Sequence, residues 1–393
     1  MHSTLARMGS RVPALPYLGY TYSVEPFDLI VIGGGIAGLG VAREAARHKL
    51  KTAVLEAGSC GRATSDNTLR IIHGGFRYLQ NGDIPRVVKS IRDQRAVLRE
   101  FADAVAPLPC LMPLSRFGLK SRLPASCAAL LYRLMMRLCG SELPAPKIMS
   151  SRDVDLQVPL LRGLAPYGAL CWHDVVMLQP HKLVEVLTEE CLRGPVTVLE
   201  NRRVTGVSVA SGMYEVQDAS GSCHHARAVV STLGPFLSSV ALPGQLAGER
   251  PLWAKGFNVT ISRQLEASFG VGVQGDSGRL FFCLPRGSGT AIGTWYVPWA
   301  AGSGPLSVSE EEIEDLVSAF NAALPGANVH RSEVASVDVG LLPMQSDSPQ
   351  GPVLVANERI HAVGRYAEVL STKYTIFRSQ GRKALAAVSK GLV

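Results

Sequence analysis

The 393-residue sequence predicts an α/β fold in which a parallel βαβ unit is interleaved with a mixed, mostly antiparallel β-sheet. Three observations predict it. A buried-type strand, a glycine run and a helix with Ala and Val on one face succeed one another at residues 27–48, and a second apolar strand then ends on an acid at Glu56. Short β-type runs punctuated by glycine occupy much of residues 196–297. A capped helix and a final C-terminal helix come late in the chain.

Composition bounds the possibilities. With 47% hydrophobic and 18% charged residues the chain can bury a large core, and at roughly 100–200 residues per domain two domains are expected. Disorder and collagen-like structure do not fit that balance. The eight cysteines are Cys60, Cys110, Cys127, Cys139, Cys171, Cys191, Cys223 and Cys283, and no two lie within four residues. That spacing excludes CxxC redox pairs and local zinc-ligand sets, so no metal is expected, and it fits a reducing cytoplasm. The formal charge of +8 lacks any run of five Lys/Arg, which points away from nucleic acid. Residues 1–26 carry Arg7 and Arg11 but no continuous apolar stretch, and they read as an N-terminal extension, not a secretory signal. No segment reaches the ~20 apolar residues that span a bilayer.

Taken in order, Phe27–Ile32 is the first strand, residues 39–48 the helix and Thr52–Leu55 the second strand. Apolar residues at helical spacing predict a helix over 83–105, followed by a Pro-rich basic stretch over 106–124. A second βα-like stretch runs through 182–191 and 196–199. Strands are predicted over 204–209, 214–218, 226–231, 255–262, 280–284 and 290–297. Ser309 caps a helix over 309–324 whose first turn holds Glu310, Glu311 and Glu312, and residues 374–388 form the last helix.

The glycine run carries the first chemistry. Gly33 permits a tight turn after the strand, Gly35 lets a pyrophosphate approach the backbone, and Gly38 lets helix and strand pack closely. Ile36 and Ala37 then open a helix whose N-terminal N–H groups favour an anion. Glu56 stands ~20 residues beyond the glycines, where an acid accepts hydrogen bonds from a ribose diol, and Ala57 follows it. A second GxGxxG at residues 270–275 lacks a leading strand and a following helix, and it reads as a hairpin turn. With one nucleotide fold only, a nicotinamide co-substrate is not expected.

Beyond Glu56 the run Ala63-Thr64-Ser65-Asp66-Asn67-Thr68-Leu69-Arg70-Ile71-Ile72-His73-Gly74-Gly75-Phe76-Arg77-Tyr78-Leu79 resembles, without a gap, the ATSS…KLIHGGLRYLE stretch of FAD-dependent glycerol-3-phosphate dehydrogenases. These belong to the wider D-amino-acid-oxidase-like (DAO) superfamily. The resemblance resumes at residues 229–236 (VVSTLGPF, like NATGPW), at Asp347-Ser348-Pro349 (like SDSP) and at residues 373–385 (KYTIFRSQGRKAL, like KLTTYRKLAEHAL). It has no counterpart for the C-terminal helical domain of the longer members. It implies a Rossmann-type FAD domain of the glutathione-reductase-like kind. That domain would be assembled from 27–80, 166–240 and 350–393, with 81–165 and 241–349 forming a substrate domain. It implies noncovalent FAD held by Gly33, Gly35, Ile36, Ala37, Gly38, Glu56, Ala57, Thr64, Ser65, Arg70, Ile72, His73, Gly74, Gly75, Val204, Thr232, Gly234, Thr372, Lys373, Tyr374 and Thr375. It also implies Arg77, Tyr78, Asn258 and Lys373 around the substrate.

Two departures fall in that substrate site. Where the family carries GVRP, this chain reads Gly340-Leu341-Leu342-Pro343; where the family carries KGSH, it reads Lys255-Gly256-Phe257-Asn258. A leucine cannot hold a phosphate and an Asn amide is not a base near neutral pH. The expected function is hydride transfer from a small polar alcohol or amine, with or without an anionic group, to FAD, with glycerol 3-phosphate disfavoured. Quinone, oxygen or a partner protein is the expected acceptor. His173 and Asp174 are candidate bases by residue type only, and His224 and His225 are expected to be solvated. A flavin monooxygenase or halogenase would carry a late GD pair where this chain has Gly364-Arg365, and a degenerate flavin-binding subunit is the non-catalytic alternative. Residues 116–140, basic and apolar, are either a membrane-surface helix or a core or oligomer contact; cytoplasmic localisation with membrane association follows from the first option.

Overall fold

A computed structural model describes residues 25–275, 278–300, 305–349 and 351–390. Most of the N-terminal extension, residues 1–24, lies outside them. The elements run β1 (Phe27–Ile32), α1 (Ile36–Arg47), β2 (Thr52–Leu55), β3 (Ile71–Ile72), α2 (Ile84–Glu100), β4 (Val105–Pro113), α3 (Arg122–Leu138), β5 (Lys147–Met149), α4 (Ser151–Gln157), β6 (Ala169–Met177), α5 (Pro180–Leu192), β7 (Val196–Leu199), β8 (Val204–Ala210), β9 (Met213–Asp218), β10 (Cys223–Ser231), β11 (Leu252–Ile261), β12 (Gly270–Gln274), β13 (Leu280–Arg286), β14 (Gly289–Trp299), α6 (Glu310–Ala323), β15 (Val334–Ser346), β16 (Val353–Leu354), β17 (Arg359–Val363), β18 (Tyr366–Leu370) and α7 (Phe377–Val388).

Two sheets organise them. The first has the order β17-β18-β10-β1-β2-β7, parallel through β18, β10, β1, β2 and β7, with the β8–β9 hairpin attached to β10. Its central strands are buried on both faces, which is why they read as unbroken Val/Ile/Leu runs. One face is covered by α1, α5 and α7. Helices α1 and α7 cross at two glycines: a Cβ on Gly40 would strike the Phe377 carbonyl, and one on Gly381 the Gly40 carbonyl. The second sheet has the order β16-β15-β11-β14-β13-β12-β4-β6-β3 and is mostly antiparallel. One face packs on α6 through Phe257, Val259, Phe281 and Phe320. The other carries Asn258 and its neighbours and is turned toward the first sheet's glycine loops, as the approach of Thr64 to Gly340 shows.

The interleaved arrangement matches the expected fold class; several elements differ from the sequence reading. Residues 270–274 form strand β12, parallel to β4 and antiparallel to β13, so the run read as a turn is a strand. Within the Pro-rich stretch 106–124, residues 106–113 are strand, because β4 lies along β6 in nine register pairs and tolerates Pro107 and Pro109. The 83–105 helix stops at Glu100 as the chain turns into β4. Strand β6 falls within the 166–240 segment but is hydrogen-bonded in the second sheet. His224 is not solvated: its Nε2 lies 3.1 Å from Asp218 Oδ2 at the β9–β10 turn.

Candidate cofactor and substrate site

The loop after β1 is built by backbone. Gly33 has φ +99° and its N–H donates to the Leu55 carbonyl. A Cβ on Gly38 would collide with the Gly33 carbonyl and come within 2.7 Å of Thr232 Oγ1, so no other residue fits there without displacing the turn. Thr232 clamps the same turn by donating to the Ile32 and Gly33 carbonyls. Among the described residues, chain neighbours aside, an added Cβ on Gly35 would meet only Ser65 Oγ within 4 Å, which leaves room for an approaching group. Helix α1 has no acid in its first turn and no side-chain cap at Gly35, and the Ile36 N–H donates to Ser65 Oγ at 3.1 Å. An anion is the natural complement of such a helix start.

Glu56 serves two purposes. Its carboxylate accepts from the Gly34 N–H at 2.7 Å and the Gly58 N–H at 2.9 Å, tying the first loop to the next. It remains half-buried, with lone pairs to spare for a diol. Ala57 is exposed beside it, and Gly234 holds φ +53° at the turn after β10. Val204 is buried in the core cluster with Ile32 and Leu55, so its side chain supports the strands from behind.

The second cofactor loop is fixed by unlike partners. Arg70 has φ +65°, its N–H donates to Thr68 Oγ1 and its carbonyl accepts from Met177. Ile72 is buried and its carbonyl accepts from Gln94 Nε2. Gly75 has φ +87°, and Gly74 faces Tyr132 Oη and Gln94 so closely that no side chain fits. Three buried polar atoms on these flanking segments have no hydrogen-bond partner: Arg70 Nε, Thr372 Oγ1 and Tyr374 Oη. Buried polar groups are rarely left so, and a bound polar cofactor would satisfy them. Thr375 is half-buried at the end of the same segment. The glycine cradle, the helix start and these orphaned atoms fit FAD.

His73 is the residue the fold places most unexpectedly. Because Ile72 pairs with Val175 in the β3–β6 ladder, the chain continues to His73 against Asp174. Nδ1 lies 2.8 Å from Asp174 Oδ2, and Asp174 is almost completely buried. The same carboxylate accepts from the Gly74 N–H at 2.8 Å, Trp172 Nε1 at 3.0 Å and Gln94 Nε2 at 3.3 Å. Burial alone would raise its pKa. The charge and hydrogen bond of His73, with the Gly74 and Trp172 donors, outweigh burial and hold the carboxyl below its ordinary range. His173, the neighbouring residue type considered from sequence, points to the opposite face of β6, and burial and the Lys147 charge lower its pKa.

Beyond His73 a pocket opens. His73 packs on Phe282 with ring centroids 5.2 Å apart. The pocket is walled by Phe76, Trp172, Met112, Leu280 and Phe282 and rimmed by Arg77, Lys120 and Gln274. Phe76 stacks on Trp172. Lys120 donates to Gln274, while burial and the Arg77 charge lower its pKa. Among the described residues no carboxylate pairs with Arg77 or Lys120. Tyr78 and Lys373 form a second pair: Lys373 Nζ lies 2.5 Å from Tyr78 Oη, and the Arg86 guanidinium covers the Tyr78 ring at 5.0 Å.

The same sheet holds the two departures farther along, on β11 and β15. Asn258 is buried and its Oδ1 accepts from Thr294 Oγ1 at 2.8 Å, with Gly293 leaving room beside it. Leu342 pairs with Ala254, four pairs further along the ladder, and its side chain lies against Gly256 next to Tyr296. The place where the resembling family puts a guanidinium is thus closed by apolar and aromatic groups. Lys255 is turned to the other face, paired with Glu312. Sequence reading missed Asp174's role, Trp172, Lys120, Gln274 and Phe282. Asp174, Trp172, Gln274 and Phe282 lie on strands that carry no clean alternation, and Lys120 lies in the loop before α3.

A family profile described as FAD dependent oxidoreductase matches residues 28–367. The chain belongs to that family. Its cofactor is FAD, and its chemistry is oxidation–reduction. It is similar to the aerobic glycerol-3-phosphate dehydrogenase of Staphylococcus aureus, 24% identical over 94% of this chain and 68% of that protein. In fold it resembles the FAD-complexed glycerol-3-phosphate dehydrogenase of Bacillus halodurans (TM-score 0.69, 20% identity), covering 94% of this chain and 66% of that one. It also resembles the FAD-bound L-α-glycerophosphate oxidase of Mycoplasma pneumoniae (TM-score 0.71, 14% identity), covering 93% and 95%. The chain therefore spans about two thirds of the two dehydrogenases. The Gly364-Arg365 pair forms the hairpin between β17 and β18, with Arg365 accepting from the Val229 N–H.

Proposed function

We propose that the enzyme oxidises a small alcohol or amine bearing an anionic group, and that this substrate is not glycerol 3-phosphate. The observation that carries the proposal is the pairing of an unneutralised Arg77–Lys120 rim with Leu342 and Asn258 farther along the sheet that walls the pocket. Two cations without a described acid attract an anion, and charge-assisted contacts of this kind contribute about 1.5–3 kcal/mol each. A phosphate held between two guanidinium sites would need one where Leu342 stands. The aromatic wall suits a carboxylate with some apolar surface better than a polyol phosphate.

Bound FAD supplies the two-electron acceptor. The residues of this chain orient the substrate beside it. Arg77 and Lys120 hold the anion, and Phe282 and Trp172 keep water from the substrate carbon. Asn258, fixed by Thr294, presents its amide toward the cleft, while Lys373, steadied by Tyr78, places a positive charge where negative charge gathers on reduction. In this reading 27–80, 166–240 and 350–393 contribute the cofactor-binding domain, and His73 is not covalently linked to the cofactor.

The test is anaerobic mixing of the purified holoprotein with glycerol 3-phosphate, glycerate, lactate, glycine and larger 2-hydroxy and 2-amino acids. Bleaching of the visible flavin band by one of the carboxylates supports the reading. Bleaching by glycerol 3-phosphate overturns it, and silence with every compound favours a flavin-binding subunit. Oxygen consumption against quinone reduction then assigns the acceptor.

We further propose that α3 rests on an anionic membrane surface. No helix among the described residues is long and apolar enough to cross a membrane. Yet Leu123, Leu130, Leu134 and Leu138 are exposed along α3, with Phe117 and Leu119 exposed just before it. Residues 104–141 contain no Asp or Glu but do contain Arg116, Lys120, Arg122, Arg133 and Arg137. An apolar stripe flanked by cations matches a negatively charged interface. Sedimentation with phosphatidylglycerol vesicles but not phosphatidylcholine vesicles is the expected result; no sedimentation with either contradicts it.

A further inference from the structure

The sheet that walls the pocket also carries an ion pair that reaches into the second cofactor loop. Arg286 stands at the end of β13 and Asp338 on β15, and β14 and β11 lie between those strands. Arg286 Nη1 donates to Asp338 Oδ2 and, at 2.9 Å, to Thr260 Oγ1 on β11. Its Nη2 donates at 3.2 Å to the Thr68 carbonyl, 218 residues away in the chain. Both charged side chains are mostly buried, at 14% and 19% exposure. A buried pair is a poor source of stability, because desolvation offsets the attraction. A guanidinium fork is a good source of placement, since its rigid donors fix several acceptors at once. Here one Nη holds the sheet and the other holds the loop.

Thr68 lies where the loop passes from one support to the next. Before it, the Asp66 and Asn67 N–H groups donate to the Ala63 and Thr64 carbonyls, so residues 63–67 close on themselves. After it, the Arg70 carbonyl accepts from the Met177 N–H at the end of β6. The Arg70 N–H donates to Thr68 Oγ1, and Arg70 itself has φ +65°. Asp338 is two residues from Gly340 and on the same face of β15. A Cβ on Gly340 would crowd the Thr64 side chain at 3.0 Å, so this short piece of β15 meets the loop at Thr64 as well. Arg70 brings a second guanidinium near. Burial and the Arg70 charge pull the Arg286 pKa below its ordinary range, against the hydrogen bond and charge of Asp338. Arg70 Nε is buried without a partner. The cluster of two guanidiniums and one carboxylate leaves positive charge in excess beside loops that fit an anionic cofactor.

We propose that Arg286, anchored by Asp338, is a positioning residue that holds the Thr68–Arg70 turn against the substrate sheet and thereby retains FAD. The proposal rests on residues 63–75 lining the cofactor. Arg286 acts through the backbone of the turn and has no assigned contact with cofactor or substrate. It fixes where the chain leaves Thr68, and so where Arg70 and β3 begin and where Gly74 and Gly75 follow. Retention of the cofactor then depends on a sheet that is not part of its own parallel fold.

The test follows two quantities in the holoprotein. FAD release after dilution is read as the rise of free-flavin fluorescence, and amide hydrogen exchange at residues 64–70 is read by mass spectrometry. Arg286→Met should release FAD about tenfold faster and speed exchange at 64–70, while exchange in α6, on the other face of the sheet, stays unchanged. Arg286→Lys keeps a charge opposite Asp338 but loses the fork. It should keep the thermal midpoint of the wild type and still release FAD severalfold faster, which a pair serving only the stability of the sheet would not do. Asp338→Asn is nearly isosteric and should shift both quantities in the same direction, and it decides the matter if Arg286→Met does not fold. Unchanged exchange at 64–70 overturns the proposal and leaves the cofactor-loop reading standing. Faster exchange with wild-type FAD release also overturns it, and in that case the cofactor-loop reading is what has failed.

Discussion

The glycine cradle at residues 33–75 and the sheet face at residues 256–342 hold their ligands by opposite means. The cradle is backbone: Gly33, Gly38 and Gly74 sit where a Cβ is strained or collides, and its polar contacts are largely N–H groups and one carboxylate. The sheet face is side chain: Asn258, Thr294, Leu342 and Tyr296 come from three strands whose ladder is held by backbone hydrogen bonds. The cradle is constrained by chain geometry to one kind of ligand. The face is free to be rewritten, and under the proposed function Leu342 and Asn258 stand where the resembling family has its Arg and His.

The largest effect that would test this contrast is at Gly38. Gly38→Val forces Cβ into the Gly33 carbonyl, and overpacking of this kind costs about 3 kcal/mol or more. The purified variant should carry no visible flavin. Leu342→Ala, in comparison, should keep full flavin occupancy, measured as the ratio of visible to ultraviolet absorbance.

A second prediction concerns the helix that braces the cradle loops. Asp93 on α2 is buried, and burial pushes its pKa up to about 6, against the pull of Lys89, Arg378 and Arg382. Its folded-state value is raised, so the unfolded chain gives up the proton first. The cost is absent below the ordinary value near 3.8, grows as pH rises toward 6 and is complete above it. Asp93→Asn should therefore stabilise the protein by about 2 kcal/mol at neutral pH, with no gain near pH 3.5, in urea titrations across that range.

Lys120→Met should weaken an anionic substrate about 10-fold, a loss of ~1.4 kcal/mol, without altering flavin content. Rapid-mixing reduction at several substrate concentrations reads it as a raised half-saturation point. The smallest effect is at α3. Leu130→Ser with Leu134→Ser should reduce vesicle binding severalfold and leave thermal stability within about 0.5 kcal/mol, since both side chains are exposed.

The two regions also differ in how much of them the sequence discloses. The βαβ unit is local: strand, turn, helix and acid fall within ~30 residues, so Gly33, Gly38 and Glu56 could be placed by spacing. The long run 63–79 added the second loop by resemblance. The substrate side needed pairings of high sequence separation. Asp174 meets His73 across 101 residues, and Lys120 meets Gln274 across 154. Strand β4 was hidden by its prolines and β12 by its glycines, which mimic a nucleotide loop. Asn258 and Leu342 were visible only as departures from a family pattern; their neighbours Thr294 and Tyr296 were not visible at all.

The central claim is that FAD chemistry persists here while the phosphate site does not. Anaerobic titration of the holoprotein with glycerol 3-phosphate and the carboxylate panel tests it most directly. The flavin band should bleach with a carboxylate-bearing alcohol or amine and stay unchanged with glycerol 3-phosphate. Full bleaching by glycerol 3-phosphate at the lowest concentration in the panel would contradict the account.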